Sequence, residues 1–126
     1  MAGTGFRIEQ GWLGSCKVGA ANLAANIGVK FDSDGLLVAC GAGDNGIGSV
    51  QEAFAAGVDP ASFVRKIGGC YMTFSGTVVS GDYVKFTTGG ILIADTVSGS
   101  TALSVNTVGI IRDANAGNGV CFMEWL

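Results

Sequence analysis

The eleven residues Val29-Lys30-Phe31-Asp32-Ser33-Asp34-Gly35-Leu36-Leu37-Val38-Ala39 return as Val84-Lys85-Phe86-Thr87-Thr88-Gly89-Gly90-Ile91-Leu92-Ile93-Ala94. Six of the eleven positions are identical (Val, Lys, Phe, Gly, Leu and Ala), and Leu36/Ile91 and Val38/Ile93 differ only in branching. Further on, Gly48-Ser49-Val50-Gln51-Glu52-Ala53-Phe54-Ala55 is echoed more faintly by Gly109-Ile110-Ile111-Arg112-Asp113-Ala114-Asn115-Ala116. Each half therefore reads as strand, tight turn, strand, glycine-rich loop, strand and small-residue turn. Two such halves make an all-β fold, a small closed or nearly closed barrel or sandwich. Closure would also deal with unpaired sheet edges.

The rest of the chain fits that frame. Short runs of Val, Ile, Phe, Tyr and Thr alternate with clusters of Gly, Asn, Asp and Ser. Val84-Lys85-Phe86 alternates strictly, so Lys85 points away from the face that buries its neighbours. Cys70, Met72 and Phe74 fall on one side of another strand, and Gly90 to Ala94 is a continuous apolar run. Val105 to Arg112 and Val120 to Leu126 read as two closing strands. Val50 to Ala56 holds helix formers but is too short to stand alone. Phe63 to Ile67, after Asp59-Pro60, reads as a strand. Between the paired segments lie a compact loop at 41–46 and a longer, polar, mobile one at 95–106. Residues 1–25 lie largely outside the repeat and read as an N-terminal arm plus a first strand; 26–126 read as a single β domain.

Composition excludes several function classes. Of 126 residues, 48% are hydrophobic and 13% charged, against a usual charged share of about 25%, which argues against disorder. A net charge of -3 without a basic stripe argues against nucleic acid as a partner. No apolar run approaches the roughly 20 residues of a membrane helix. The start shows no basic stretch followed by an apolar one, so no signal peptide is expected and synthesis is expected in the cytosol. Seventeen charges (7 basic and 10 acidic) on a folded surface of about 6,200 Å² is sparse for a soluble monomer. Much of that surface is expected to be covered, first of all by another copy of the chain.

No motif for catalysis or cofactor binding stands out. Cys16, Cys40, Cys70 and Cys121 lack CxxC spacing, and the chain has no histidine; they read as buried thiols rather than ligands or nucleophiles. Asp32-Ser33-Asp34-Gly35 resembles the opening of a calcium loop, but the second copy keeps the glycine and drops both carboxylates, as a hairpin turn would. Gly41-Ala42-Gly43-Asp44-Asn45-Gly46 lacks the lysine and following helix of a phosphate loop. No carboxylate pair is singled out, so an enzyme is not expected, nor any cofactor or metal. The aromatics offer more. Phe6, Trp12 and Leu13 in the arm, and Trp125 in the last strand, are candidate contacts to a partner or a second subunit, since aromatic anchors are enriched at interfaces.

Ser80-Gly81-Asp82-Tyr83-Val84-Lys85-Phe86, followed by Gly89-Gly90-Ile91-Leu92-Ile93 and then Val108-Gly109-Ile110, resembles the centre of the bacteriophage head decoration, or capsid cement, proteins. Gly68 to Gly76 and the turn Glu52 to Gly57 also resemble that family, and the likeness covers roughly residues 26–126. The long arm, the four cysteines and Asp59-Pro60 depart from it. The resemblance implies a non-enzymatic virion protein, made in the host cytoplasm and placed on the outer capsid surface. It would bind the major capsid protein where coat subunits meet, as a homo-oligomer, with a trimer favoured over a dimer, and with no nucleic acid and no membrane. A non-enzymatic β module that binds sugar or belongs to the tail is the alternative.

Overall fold

A computed structural model of the chain describes residues 13–97, 100–101, 103–117 and 119–126. The strands are β1 (Leu13–Cys16), β2 (Ile27–Phe31), β3 (Leu37–Ala39), β4 (Gly48–Val50), β5 (Ala61–Arg65), β6 (Gly69–Thr73), β7 (Tyr83–Thr87), β8 (Ile91–Ala94), β9 (Thr96–Val97), β10 (Ser100–Thr101), β11 (Gly109–Gly117) and β12 (Val120–Trp125). Among the described residues there is no helix. The helix formers after Val50 instead follow a bent, non-helical path that turns at Ala56-Gly57, with Phe54 bridging Leu23. Two five-stranded antiparallel sheets result, in the orders β1-β5-β4-β2-β3 and β6-β12-β11-β7-β8, with β9 and β10 forming a small hairpin. They pack as a sandwich, and the all-β expectation holds.

The repeat accounts for the topology. Strands β1 to β5 occupy in the first sheet the places that β6, β7, β8, β11 and β12 occupy in the second. The registers agree residue for residue: Phe31 faces Leu37 as Phe86 faces Leu92, and Val29 faces Gly48 as Val84 faces Gly109. The correspondence extends beyond the matched sequence, because β1 takes the position of β6 although the two share no obvious pattern. Just past each of these strands the chain meets the far side of its own sheet through one parallel bridge, Val18 to Leu37 and Phe74 to Leu92. Each sheet thus curls without closing into a full barrel.

Alternating burial in β7 and β12 gives each strand an inner apolar face, as the period of two requires. The first sheet gathers Val18, Leu23, Ile27, Val29, Leu37, Val50, Ala61 and Phe63 around one core. The second gathers Met72, Val84, Phe86, Leu92, Ile111, Cys121, Met123 and Trp125 around another, with Cys40 entering it from the first half. The back of the first sheet lids this second core. The Phe86 ring lies flat against Gly28, where a Cβ would sit 2.2 Å from Cζ. The turn after β7 presses on the same strand: Gly28 N–H donates to Gly90 O at 2.9 Å, Cys40 N–H to Gly28 O at 3.0 Å, and Gly90 N–H to Cys40 O at 2.8 Å. Farther along, Thr73 N–H donates to Asn26 O at 2.7 Å, and the Gln51 side chain bonds both Ser49 Oγ and Tyr71 O.

Gly90 is therefore more than a turn residue. It has φ +72°, and a Cβ there would meet Gly28 O at 2.3 Å; its repeat partner Gly35 has φ +77°, and no described residue lies within 4 Å of that position. Gly35→Ala should lose only the backbone term, about 1–2 kcal/mol for an L-residue in the left-handed region. Gly28→Ala should lose about 1–3 kcal/mol by overpacking, and Gly90→Ala, with strain and clash together, about 3 kcal/mol or more. Urea unfolding of the three variants checks the order; equal losses at Gly35 and Gly90 would refute the close approach.

Candidate interaction surface

The residues singled out from sequence scatter. Phe6 and Trp12 lie outside the described residues. Leu13 opens β1 opposite Val64 and is exposed, its carbonyl accepting a hydrogen bond from Arg65 Nε at 3.3 Å. Trp125 is buried at the end of β12, edge-on to Phe86 at 6.1 Å, with the Lys66 ammonium 5.8 Å above its ring. It fills the second core, and its backbone N–H donates to Gly68 O where the chain crosses between the sheets.

Both glycine-rich segments form turns. Asp32 Oδ1 accepts the backbone N–H groups of Asp34 (2.8 Å) and Leu36 (2.9 Å), so its carboxylate is spent on the hairpin. Asp44 Oδ2 accepts Gly41 N–H and pairs with Lys30 Nζ at 2.6 Å. These contacts hold the Asp44 carboxyl below its ordinary range and the Lys30 ammonium above its own. Among the described residues no group of three or more cysteine or acidic side chains is arranged to hold a metal ion.

Cys40, Cys70 and Cys121 are buried free thiols, and Cys16 is half-buried with its thiol donating to Gly35 O. Burial pushes Cys40 up to about 12 and Cys121 to about 11, and raises Cys70 as well. Such thiols stay protonated at neutral pH and pack as small hydrophobes.

Apolar side chains reach solvent in both halves of the chain. On the outer face of the second sheet Tyr71 stands half exposed against Phe122, ring centroids 5.1 Å apart. Gly69 makes room for it, since a Cβ there would lie 2.5 Å from the Phe122 ring. The ion pair Arg112 to Glu124, at 2.5 Å, borders this pair of rings. Val79, Leu103, Val105 and Leu126 project from loops and the chain end, Val105 at 90% exposure. On the first half, Phe31 is 46% exposed, whereas its repeat partner Phe86 is 1% exposed.

One polar residue escaped the sequence reading. Asp95, at the head of the loop expected to be mobile, is 2% exposed. Its Oδ2 accepts the Ser104 hydroxyl at 2.6 Å and the Thr107 hydroxyl, and Lys85 Nζ lies 3.8 Å from Oδ1. The two ends of the 95–107 segment are thereby clamped together, which is why β11 begins only at Gly109 and not at Val105. Burial alone would raise the Asp95 carboxyl; the two hydroxyls and Lys85 outweigh it and hold it below its ordinary value. The only sequence signal is an Asp directly after an apolar strand with Ser and Thr about ten residues on, too common a pattern to single out.

No family model matches the sequence, and no curated protein does. Among solved structures the chain is similar to the N base of the head fiber gp8.5 of bacteriophage phi29, with a TM-score of 0.68 over 90% of this chain and 94% of that one. Sequence identity is 10%, so the likeness is one of fold.

Asp95→Asn should cost about 1–3 kcal/mol at neutral pH by weakening a buried, charge-assisted cluster. The folded carboxyl lies below its ordinary value of 3.8, so its contribution is complete above that value and is lost as the pH falls through the folded one. Urea midpoints of the two proteins, measured from neutral to acid pH, should therefore converge on acidification. A gap that widens in acid would show the carboxyl to be strained rather than stabilising.

Proposed function

We propose that the chain is a structural, non-enzymatic virion protein. It binds the outer surface of an assembled icosahedral phage shell between coat subunits and stabilises that shell. The observation that carries this reading is the fold shared, over 90% of this chain, with a phage head fiber base. Two further features support it. Charged residues are sparse, at 13%, while large apolar side chains stand on several outer surfaces. A protein pressed between coat subunits needs a rigid body, apolar contact and little net charge to repel its crowded copies.

Stabilisation follows mass action. A protein that binds the intact shell, and not its separated subunits, lowers the free energy of the shell by an amount set by occupancy. Many modest contacts then sum over the lattice. Copies of the chain meet as a homo-oligomer, a trimer before a dimer, which covers part of the exposed apolar surface. Phe6, Trp12 and Leu13 belong to the surface that engages coat protein. The arm can add backbone hydrogen bonds along a coat sheet edge, which demands little of the sequence there.

The purified chain should form a stable oligomer by light scattering. It should sediment with shells of the encoding phage prepared without it, and raise their melting temperature. Removing residues 1–12, which spares every described strand, should weaken attachment by about tenfold or more, the range of aromatic anchors, without lowering the unfolding midpoint. A monomer that ignores shells and binds a glycan array instead would overturn the reading in favour of a sugar-binding module.

A further inference from the structure

The repeat places the same hairpin at two sites in one molecule and docks only one of them. In the second half, Phe86 and the turn ending in Gly90 are seated on the first sheet: the ring covers Gly28, and Gly90 exchanges backbone hydrogen bonds with Gly28 and Cys40. In the first half, Phe31 and the turn ending in Gly35 have the same register and the same left-handed glycine, φ +77° against +72°. Here no described residue lies within 4 Å of the Gly35 Cβ position, and Phe31 is 46% exposed, with the Phe63 ring packed T-shaped against it at a centroid distance of 5.9 Å. A lone exposed aromatic is ordinary on a protein surface. This one comes with an internal example of what its backbone and ring are shaped to meet.

We propose that Phe31 and the 32–35 turn form a docking knob for a strand of another protein. That strand carries a glycine where the ring lies, with a basic side chain beside it. The Gly28 of a second copy is not free to serve, because its own Phe86 covers it, and the equivalent position in the second half is Tyr83, which carries a side chain where Gly28 has none. The basic neighbour follows from the difference in charge between the two turns. Asp34 stands, exposed, where the docked turn has Gly89, and Asp32 stands where it has Thr87. Asp32 is engaged with its own backbone, which leaves Asp34 as the charge presented to a partner.

Identifying that partner as a coat subunit rests on the shell-binding reading above. The test uses the full chain, shells of the encoding phage prepared without it, and two variants, Asp34→Lys and Phe31→Ser. Each should weaken co-sedimentation by about tenfold or more, as loss of an interface anchor does, and Asp34→Glu should bind as the parent does. Because Phe31 also touches Phe63, its variant can lose stability; Asp34 is exposed, and Asp34→Lys should keep the parent's unfolding midpoint. Hydrogen exchange on the parent should show residues 31–36 better protected in the presence of shells than in their absence. If the parent binds shells and both variants bind equally well, the knob is refuted and the shell reading stands. If Asp34→Lys alters the oligomeric state and not shell affinity, the turn lies between copies and the proposal is wrong. If the parent itself ignores shells, both readings fall.

Discussion

Everything in this molecule turns on how closely two backbones approach at Gly28. An interior strand of the first sheet lacks a side chain at Gly28, and the Phe86 ring takes that space while the Gly90 turn bonds to the same backbone. Burying a phenylalanine contributes about 1.5–3 kcal/mol, and two backbone hydrogen bonds, at 2.9 and 2.8 Å, join the halves at this junction. Without that contact the second core would be open to water over Cys40, Phe86 and Trp125. Two small curled sheets of about fifty residues each would be marginal alone; joined here, they share one lid.

Much of this architecture was legible in the sequence, because identical side chains at a fixed offset force identical registers. Val29 and Val84 face Gly48 and Gly109 in the two sheets because a slip of one residue would turn every apolar side chain outward. The place of β1 was not legible: Leu13–Cys16 shares no pattern with Gly69–Thr73, and only its ladder to β5 reveals the equivalence. Nor was the split fate of the two hairpins, since Phe31 and Phe86 are the same letter in the same motif. What separates them is a partner strand far away in sequence. Asp95 was missed for a related reason. A buried carboxylate is recognised by the hydroxyls that converge on it, and convergence is a property of the folded loop.

The candidate contacts divide along the same line. Trp125, conspicuous as one of only two tryptophans, is spent on the second core, with Lys66 and Phe86 around it. Residues less conspicuous in the sequence, among them Phe31, Tyr71 and Val105, are the ones that meet solvent. A surface of this kind offers shape and exposed apolar area.

Each sheet is built from one unbroken stretch of chain, the first from 13–65 and the second from 69–125. No strand is exchanged between them. As synthesis proceeds from the N-terminus, the first sheet has all its strands as soon as Arg65 leaves the ribosome, before the second has begun to emerge. Its back, with the bare strip at Gly28, then serves as a ready-made floor on which the later half is laid down.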